Sequence, residues 1–171
     1  MSRLIHQWKS LSLVENEITL PNKKQVLHTT IQHPGAAVIL PIFDNGEILL
    51  LQQYRPSINN WLYEFPAGTV EKGESPLQCA QRELEEETGY SAGSFKTLGD
   101  LIPLAGFCNE IQTLFVASQL QKTSRYACDD DEVIEVMSLS VKQLENMIVE
   151  GYIIDSKTIA CLSKAKLCGY I

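Results

Sequence analysis

One stretch constrains this chain more than any other. It runs from Gly68 to Tyr90 and reads GTVEKGESPLQCAQRELEEETGY. The first half, with glycines at 68 and 73, is predicted as loop. The second half is predicted as helix. Ser75 suits the N-cap, Pro76 the first helical position, and Gln78 completes a capping box with Ser75. Gly89 ends the helix. At about 100° per residue, Glu83, Glu86 and Glu87 fall within one arc of roughly 100°. Glu85 points almost the opposite way. Leu77, Ala80 and Leu84 form an adjoining apolar stripe, so the three acids sit at the margin of a buried face. Like charges at i,i+4 repel by about 0.2–0.5 kcal/mol even when exposed. A hard divalent cation such as Mg²⁺ takes oxygen ligands of this kind and would remove the repulsion. A solvated acidic face with Arg82 as local counter-ion also fits, and the helix by itself favours that plainer reading.

The loop shifts the balance. Gly68, Glu74, Arg82, Glu83, Glu86, Glu87 and Gly89 occupy every fixed position of G-x5-E-x7-R-E-U-x-E-E-x-G-U, where U is aliphatic. Leu84 fits the first U and Tyr90 departs mildly at the second. The segment resembles the Nudix box. That resemblance implies an α+β Nudix fold, an α/β/α sandwich around a mixed sheet. It implies hydrolysis of a nucleoside diphosphate linked to another group. It also implies that Glu83, Glu86 and Glu87, with the backbone carbonyl of Ala67, hold Mg²⁺, with Mn²⁺ as a substitute. Arg82 would orient a glutamate rather than touch substrate.

With 171 residues the chain is one domain's worth, long enough for a sizeable core. Its net charge of −7 and pI near 5.0 argue against broad binding to nucleic acid or a membrane surface. A phosphate-bearing substrate then needs metal and local arginine. The five cysteines have no paired-ligand spacing. An odd count without a signal peptide points to reduced thiols and a cytoplasmic location. No apolar run approaches the length that spans a membrane.

In chain order, residues 7–32 alternate polar and apolar about a turn at Pro21-Asn22. They are predicted as an N-terminal β-hairpin, roughly Trp8–Leu20 and Gln25–Ile31, ahead of a main domain over 33–171. The hairpin is either an ordinary edge or a dimerisation element. Ala36–Phe43 is a continuous apolar run that suits a strand buried on both faces. After the Asp44-Asn45-Gly46 turn, Glu47–Tyr54 makes the pair a predicted hairpin. Arg55 follows. Trp61–Phe65 is a strand into the box. Phe95–Leu104 is a strand with Gly99 at a bulge, and Ile111–Ser118 and Val133–Leu139 are strands. Ser140 caps a helix over Val141–Glu150. Asp155 or Ser156 starts the last helix, to about Leu167, with Ile159, Leu162, Ala165 and the stem of Lys166 on its apolar stripe. His6, His28 and His33 have no companions at ligand spacing. No serine or cysteine in the box is paired with a histidine, so a covalent nucleophile is not expected.

Beyond the box, HPGAAVILPI, LLLQQYR, WLYEFPAG and EVIEVMSLSVKQLENMIVEGYIIDSKTIACL resemble the ADP-ribose pyrophosphatase branch, over about residues 33 to 165. That branch implies that Arg55 contacts the diphosphate and that Glu110 binds substrate, with Phe107 of the same loop a further substrate-binding candidate. It implies a general base in the acidic loop, Asp130 or Glu132, with Glu86 as the other catalytic candidate. It also implies a homodimer. Leu104-Ala105-Gly106 stands where the branch has Ser-Pro-Gly, which leaves other nucleoside diphosphate sugars open beside ADP-ribose. The other readings are a MutT-type nucleoside triphosphate pyrophosphohydrolase and a ligand-binding Nudix domain without turnover. The complete acidic set disfavours the second.

The helix-face reading makes a direct prediction. Glu83→Gln or Glu87→Gln should lower turnover at least ~10²-fold with the fold intact, while Glu85→Gln stays nearly silent. Steady-state kinetics and circular dichroism of the three variants check it. Equal damage from Glu85→Gln would sink the face argument.

Overall fold

The computed structural model describes residues 2–123 and 133–171. Ten strands and three helices are described, and β4 (Ala36–Pro41) lies at their centre. It is buried at every position. Its alternating side chains serve two cores. Val38 and Leu40 join β5 (Glu47–Arg55), α2 (Val141–Val149) and α3 (Ser156–Leu167) through Ile48, Leu50, Leu144, Cys161, Leu162 and Ala165. Ala37 and Ile39 face the other way, onto Cys79, Ala80 and Leu84 of α1 (Pro76–Thr88). This gives helix, sheet, helix: the α/β/α sandwich. Burying side chains of this size contributes about 1.5–3 kcal/mol each, which is why the AAVIL run has no polar face.

The central sheet has the order β7-β4-β9-β8, with β7 (Ala67–Thr69), β8 (Tyr90–Leu101) and β9 (Gln112–Lys122). β4 runs parallel to β9 and antiparallel to β7. The second sheet is β10-β5-β6, with β6 (Asn60–Glu64) and β10 (Ile134–Ser140). So β4 and β5 do not form the expected hairpin. The turn at 44–46 joins two sheets, and only an Ile42–Ile48 bridge links its flanks. Both hydrogen-bonding edges of each strand are taken elsewhere, by β7 and β9 for β4 and by β6 and β10 for β5. Gly99 does sit at a register shift, with φ of 86°.

The N-terminal segment is a three-stranded antiparallel sheet rather than a hairpin alone. β2 (Leu11–Thr19) and β3 (Gln25–Gln32) are the expected pair, and β1 (Ser2–Trp8) is added at the edge of β2. Every residue of β1 is exposed, which is why its alternation carried no signal. The Ile31 N–H donates to Phe107 O, and the Asn109 N–H to Ile31 O, tying this sheet to the loop after β8.

The helix caps form as their sequences dictate. Ser75 with Gln78 and Ser140 with Gln143 are complete capping boxes, Gly89 closes α1 in the left-handed region, and Asp155 caps α3. Two stripe positions differ from expectation. Leu77, in the first turn of α1, is 42% exposed. Lys166 is exposed and pairs with Glu145, while Thr158 and Cys161 are buried on α3. Thr158 has a polar duty: its hydroxyl accepts the buried Phe65 N–H at 2.9 Å and donates to Asp155 Oδ2 at 2.7 Å. Thr158→Val leaves that N–H without a partner at about the same volume, so it should cost ~1–3 kcal/mol, with Thr158→Ser close to wild type. Urea unfolding measures it; a neutral valine variant would mean that the bond contributes nothing.

Candidate active site

The site is stitched together where loop 66–75 meets α1. Gly68 is required by contact: a Cβ there would stand 1.7 Å from Glu83 Oε1. The glutamate therefore lies directly on the loop backbone. The Ala67 N–H donates to Glu87 Oε2 at 2.9 Å, which holds that carboxylate almost fully buried. Arg82 Nη2 donates to the Thr69 carbonyl at 3.2 Å. The buried Cys79 thiol donates to the Gly68 carbonyl at 3.4 Å, and burial pushes its pKa up to about 12.

Arg82 is the electrostatic hub. Its Nε and Nη2 donate to the two oxygens of Glu74 at 3.0 and 3.1 Å, a bidentate pair. Its Nη1 donates to Glu83 Oε1 at 2.6 Å and Glu86 Oε2 at 3.0 Å. Glu74 first, then Glu83 and Glu86, hold the guanidinium well above its ordinary pKa. In return, the hydrogen bond from Arg82 holds the Glu74 carboxyl below its ordinary value. Arg82 is thus the local counter-ion of the plainer sequence reading, with Glu87 buried and Glu83 half-buried. Glu85 lines a smaller pocket of about 430 Å³ with Arg82, Glu86, Ser91 and Phe95.

The box borders a cleft of about 1040 Å³, which brings Arg55, Ala67, Glu83 and Glu86 together with Arg82. Glu87 lies behind them, on the loop backbone. Phe107 and Glu110 are not among the residues lining the cleft. Phe107 is exposed, and Glu110 accepts from Gln112 Nε2 at 2.8 Å. Asp130 and Glu132 lie outside the described residues. The structure adds Lys9 and Ser10, from the turn between β1 and β2, and Lys72 to the cleft. No sequence pattern pointed to Lys9, whose place comes from how the N-terminal sheet packs. Arg55 is held by Glu64, with Nε to Oε1 at 2.7 Å and Nη2 to Oε2 at 2.8 Å. Glu64 is buried and also accepts from Lys157. A glutamate inside the apolar run WLYEF was the visible signal for this pair.

The donor set suits a hard divalent cation: three carboxylates and a backbone carbonyl, on a loop and helix held rigidly together. Among the described residues no three acidic, cysteine or histidine side chains converge on one point. Glu83 and Glu86 turn to Arg82, and Glu87 turns to the Ala67 N–H. The two bonds from Arg82 to Glu74 use Nε and Nη2, apart from the Nη1 that serves Glu83 and Glu86.

Known proteins resemble this chain along most of its length. The NUDIX domain pattern matches residues 32–160. The chain is 33% identical over 164 residues to an ADP-ribose pyrophosphatase of Bacillus subtilis, covering 95% of this chain and 89% of the relative. It is 34% identical over the same shares to a methanol dehydrogenase activator of Bacillus methanolicus. It is 36% identical to a GDP-mannose pyrophosphatase of Yersinia enterocolitica, covering 80% and 75% of the two chains. A solved ADP compounds hydrolase superposes with a TM-score of 0.84 over 100% of this chain and 95% of that one, at 18% identity, which speaks to the fold alone.

The Glu74–Arg82 pair has a testable pH signature. The folded-state pKa of Glu74 is depressed below 4.5, so its contribution is fully present above pH 4.5 and is lost as pH falls through the folded value. Glu74→Gln should lower the Tm by about 5 °C at pH 7. The gap to wild type should narrow as pH falls below 4.5. Thermal melts from pH 7 to 3 check it, and a gap that stays constant refutes the pairing.

Proposed function

The chain belongs to the Nudix family, and we propose that it hydrolyses the diphosphate bond of a nucleoside diphosphate sugar, with ADP-ribose the favoured substrate. The products are a nucleoside monophosphate and a sugar phosphate. One observation carries the reading: Arg55 and the box carboxylates meet across a cleft large enough for a nucleotide sugar. The names of the pyrophosphatase relatives support the same substrate class. Ala105, in place of the branch's proline, keeps GDP-mannose and other nucleoside diphosphate sugars on the panel.

Each residue has a stated part. Arg55 donates charge-assisted hydrogen bonds to the diphosphate. Glu83, Glu86, Glu87 and the Ala67 carbonyl would hold Mg²⁺, or Mn²⁺ in its place. A metal held there would supply positive charge against the diphosphate oxygens and would make water more acidic. Arg82 does not touch substrate; it holds Glu83 and Glu86 in place from Glu74. The water's proton goes to Asp130 or Glu132, with Glu86 the alternative base. Phe107 and Glu110 lie outside the cleft wall, on a loop that the hydrogen bonds to Ile31 hold in place, and would meet only substrate that extends beyond the cleft. The N-terminal sheet, with Leu4, Trp8 and Leu27 exposed, joins two copies into a homodimer. The net charge of −7 is consistent with a small anionic substrate handled by local cations rather than with nucleic acid or a membrane surface. The chain acts in the cytoplasm.

Single turnover in ¹⁸O-labelled water tests the chemistry. With ADP-ribose and Mg²⁺, AMP and ribose 5-phosphate should form, with one label in a product phosphate. Label only in a sugar hydroxyl means attack at carbon and ends this reading. Label in phosphate with a different sugar nucleotide preferred keeps the mechanism and moves the substrate.

A further inference from the structure

Arg55 reaches the cleft on a support that lies outside it. Glu64 and Lys157 do not line the cleft, whereas Arg55 does. Glu64 ends β6 and its side chain is 1% exposed. A buried carboxylate needs its charge met, and here two cations meet it. Arg55 takes both oxygens through its Nε–Nη2 edge. Lys157, in the first turn of α3, donates to Oε2, the oxygen that also accepts from Arg55 Nη2. Lys157 in turn donates to Asp155 Oδ1 at 3.0 Å, and Asp155 is the cap of α3. The four charges form one chain, Arg55–Glu64–Lys157–Asp155, from the cleft wall to the start of a helix.

We propose that Lys157 is a positioning residue for diphosphate binding, which draws Glu64 charge away from Arg55 and so leaves Arg55 more positive toward the cleft. The inference rests on the reading of Arg55 as a diphosphate contact. The reason is competition at one oxygen. With two donors on Oε2, each bond is weaker than a lone bidentate pair, and the two cations and two acids of the chain balance. Once Lys157 is removed, the remaining Arg55, Glu64 and Asp155 carry a net charge of −1. The Nε–Nη2 edge is committed to Glu64, so the edge carrying Nη1 is the one that a phosphate would take. The charge balance behind it contributes to how strongly it does so. Asp155 anchors Lys157 through the 3.0 Å bond to Oδ1 and keeps its charge whether or not Lys157 is present.

The test is a set of variants in the full-length protein with Mg²⁺: Lys157→Met, Lys157→Arg, Arg55→Ala, and Lys157→Met with Arg55→Ala. The probes are ADP-ribose turnover and calorimetric binding of inorganic pyrophosphate. Lys157→Met should raise KM and weaken pyrophosphate binding by about tenfold each, with kcat within about twofold. Lys157→Arg should restore both. On the Arg55→Ala background, Lys157→Met should add nothing to either. An undiminished Lys157→Met effect without Arg55 overturns the proposal, since Lys157 would then act by its own path. A lowered Tm with unchanged KM and unchanged pyrophosphate binding also overturns it, since the role would be structural only. If Arg55→Ala itself changes neither KM nor pyrophosphate binding, it is the reading of Arg55 that fails.

Discussion

The contact between Gly68 and Glu83 is the constraint on which the site depends. A helix and a loop approach until a carboxylate oxygen fills the space where any other residue would carry its Cβ. That approach puts the Ala67 N–H within reach of Glu87 and the Thr69 carbonyl within reach of Arg82. It also fixes where Arg82 stands, and so which acids it gathers. The acidity of α1 is tolerated because one guanidinium serves Glu74, Glu83 and Glu86 at once. An exposed pair of this sort contributes little, but a shared and partly buried one organises the whole loop.

The segment that leads into the box, from Glu64 to Gly68, is held from both sides of the sandwich. From one side α1 reaches it through Glu83 and Glu87. From the other, the first turn of α3 reaches it through Thr158 on the Phe65 N–H and Lys157 on Glu64. Its own backbone joins the central sheet at β4, where the Ile39 N–H donates to Pro66 O. A segment clamped on three sides has little freedom to misplace Arg55 or the box acids. That rigidity is what a site needs when positioning and electrostatics supply most of the rate.

Charge is spread unevenly. A chain with net charge −7 repels a diphosphate at long range, yet its cleft carries Arg55, Arg82, Lys9 and Lys72. Two of these are bound to internal acids, Arg55 to Glu64 and Arg82 to Glu74. Glu64, buried, and Glu74, half-buried, thus hold cations that face the cleft. The N-terminal sheet takes part as well, since its first turn supplies Lys9 and Ser10 to the cleft wall and its last strand fixes the loop carrying Phe107.

What the amino-acid sequence determined by itself is the part of this protein governed by near neighbours. The caps at Ser75, Ser140 and Asp155 bond to residues three positions on, and Gly89 and Gly99 meet a backbone angle that their own neighbours impose. The face shared by Glu83, Glu86 and Glu87 follows from helical geometry alone, and the family from the spacing of seven residues. What only the tertiary structure decided involves partners distant in the chain. The split of β4 and β5 into different sheets depended on β9 and β10 competing for their edges. The third N-terminal strand came from an exposed segment with no burial pattern to read. Glu64 showed in the sequence as an acid in an apolar strand, but its second cation lies 93 residues away on another helix. Local hydrogen bonds and periodicity are written in consecutive residues; the charge that meets a buried carboxylate is chosen by whichever element the fold packs against it.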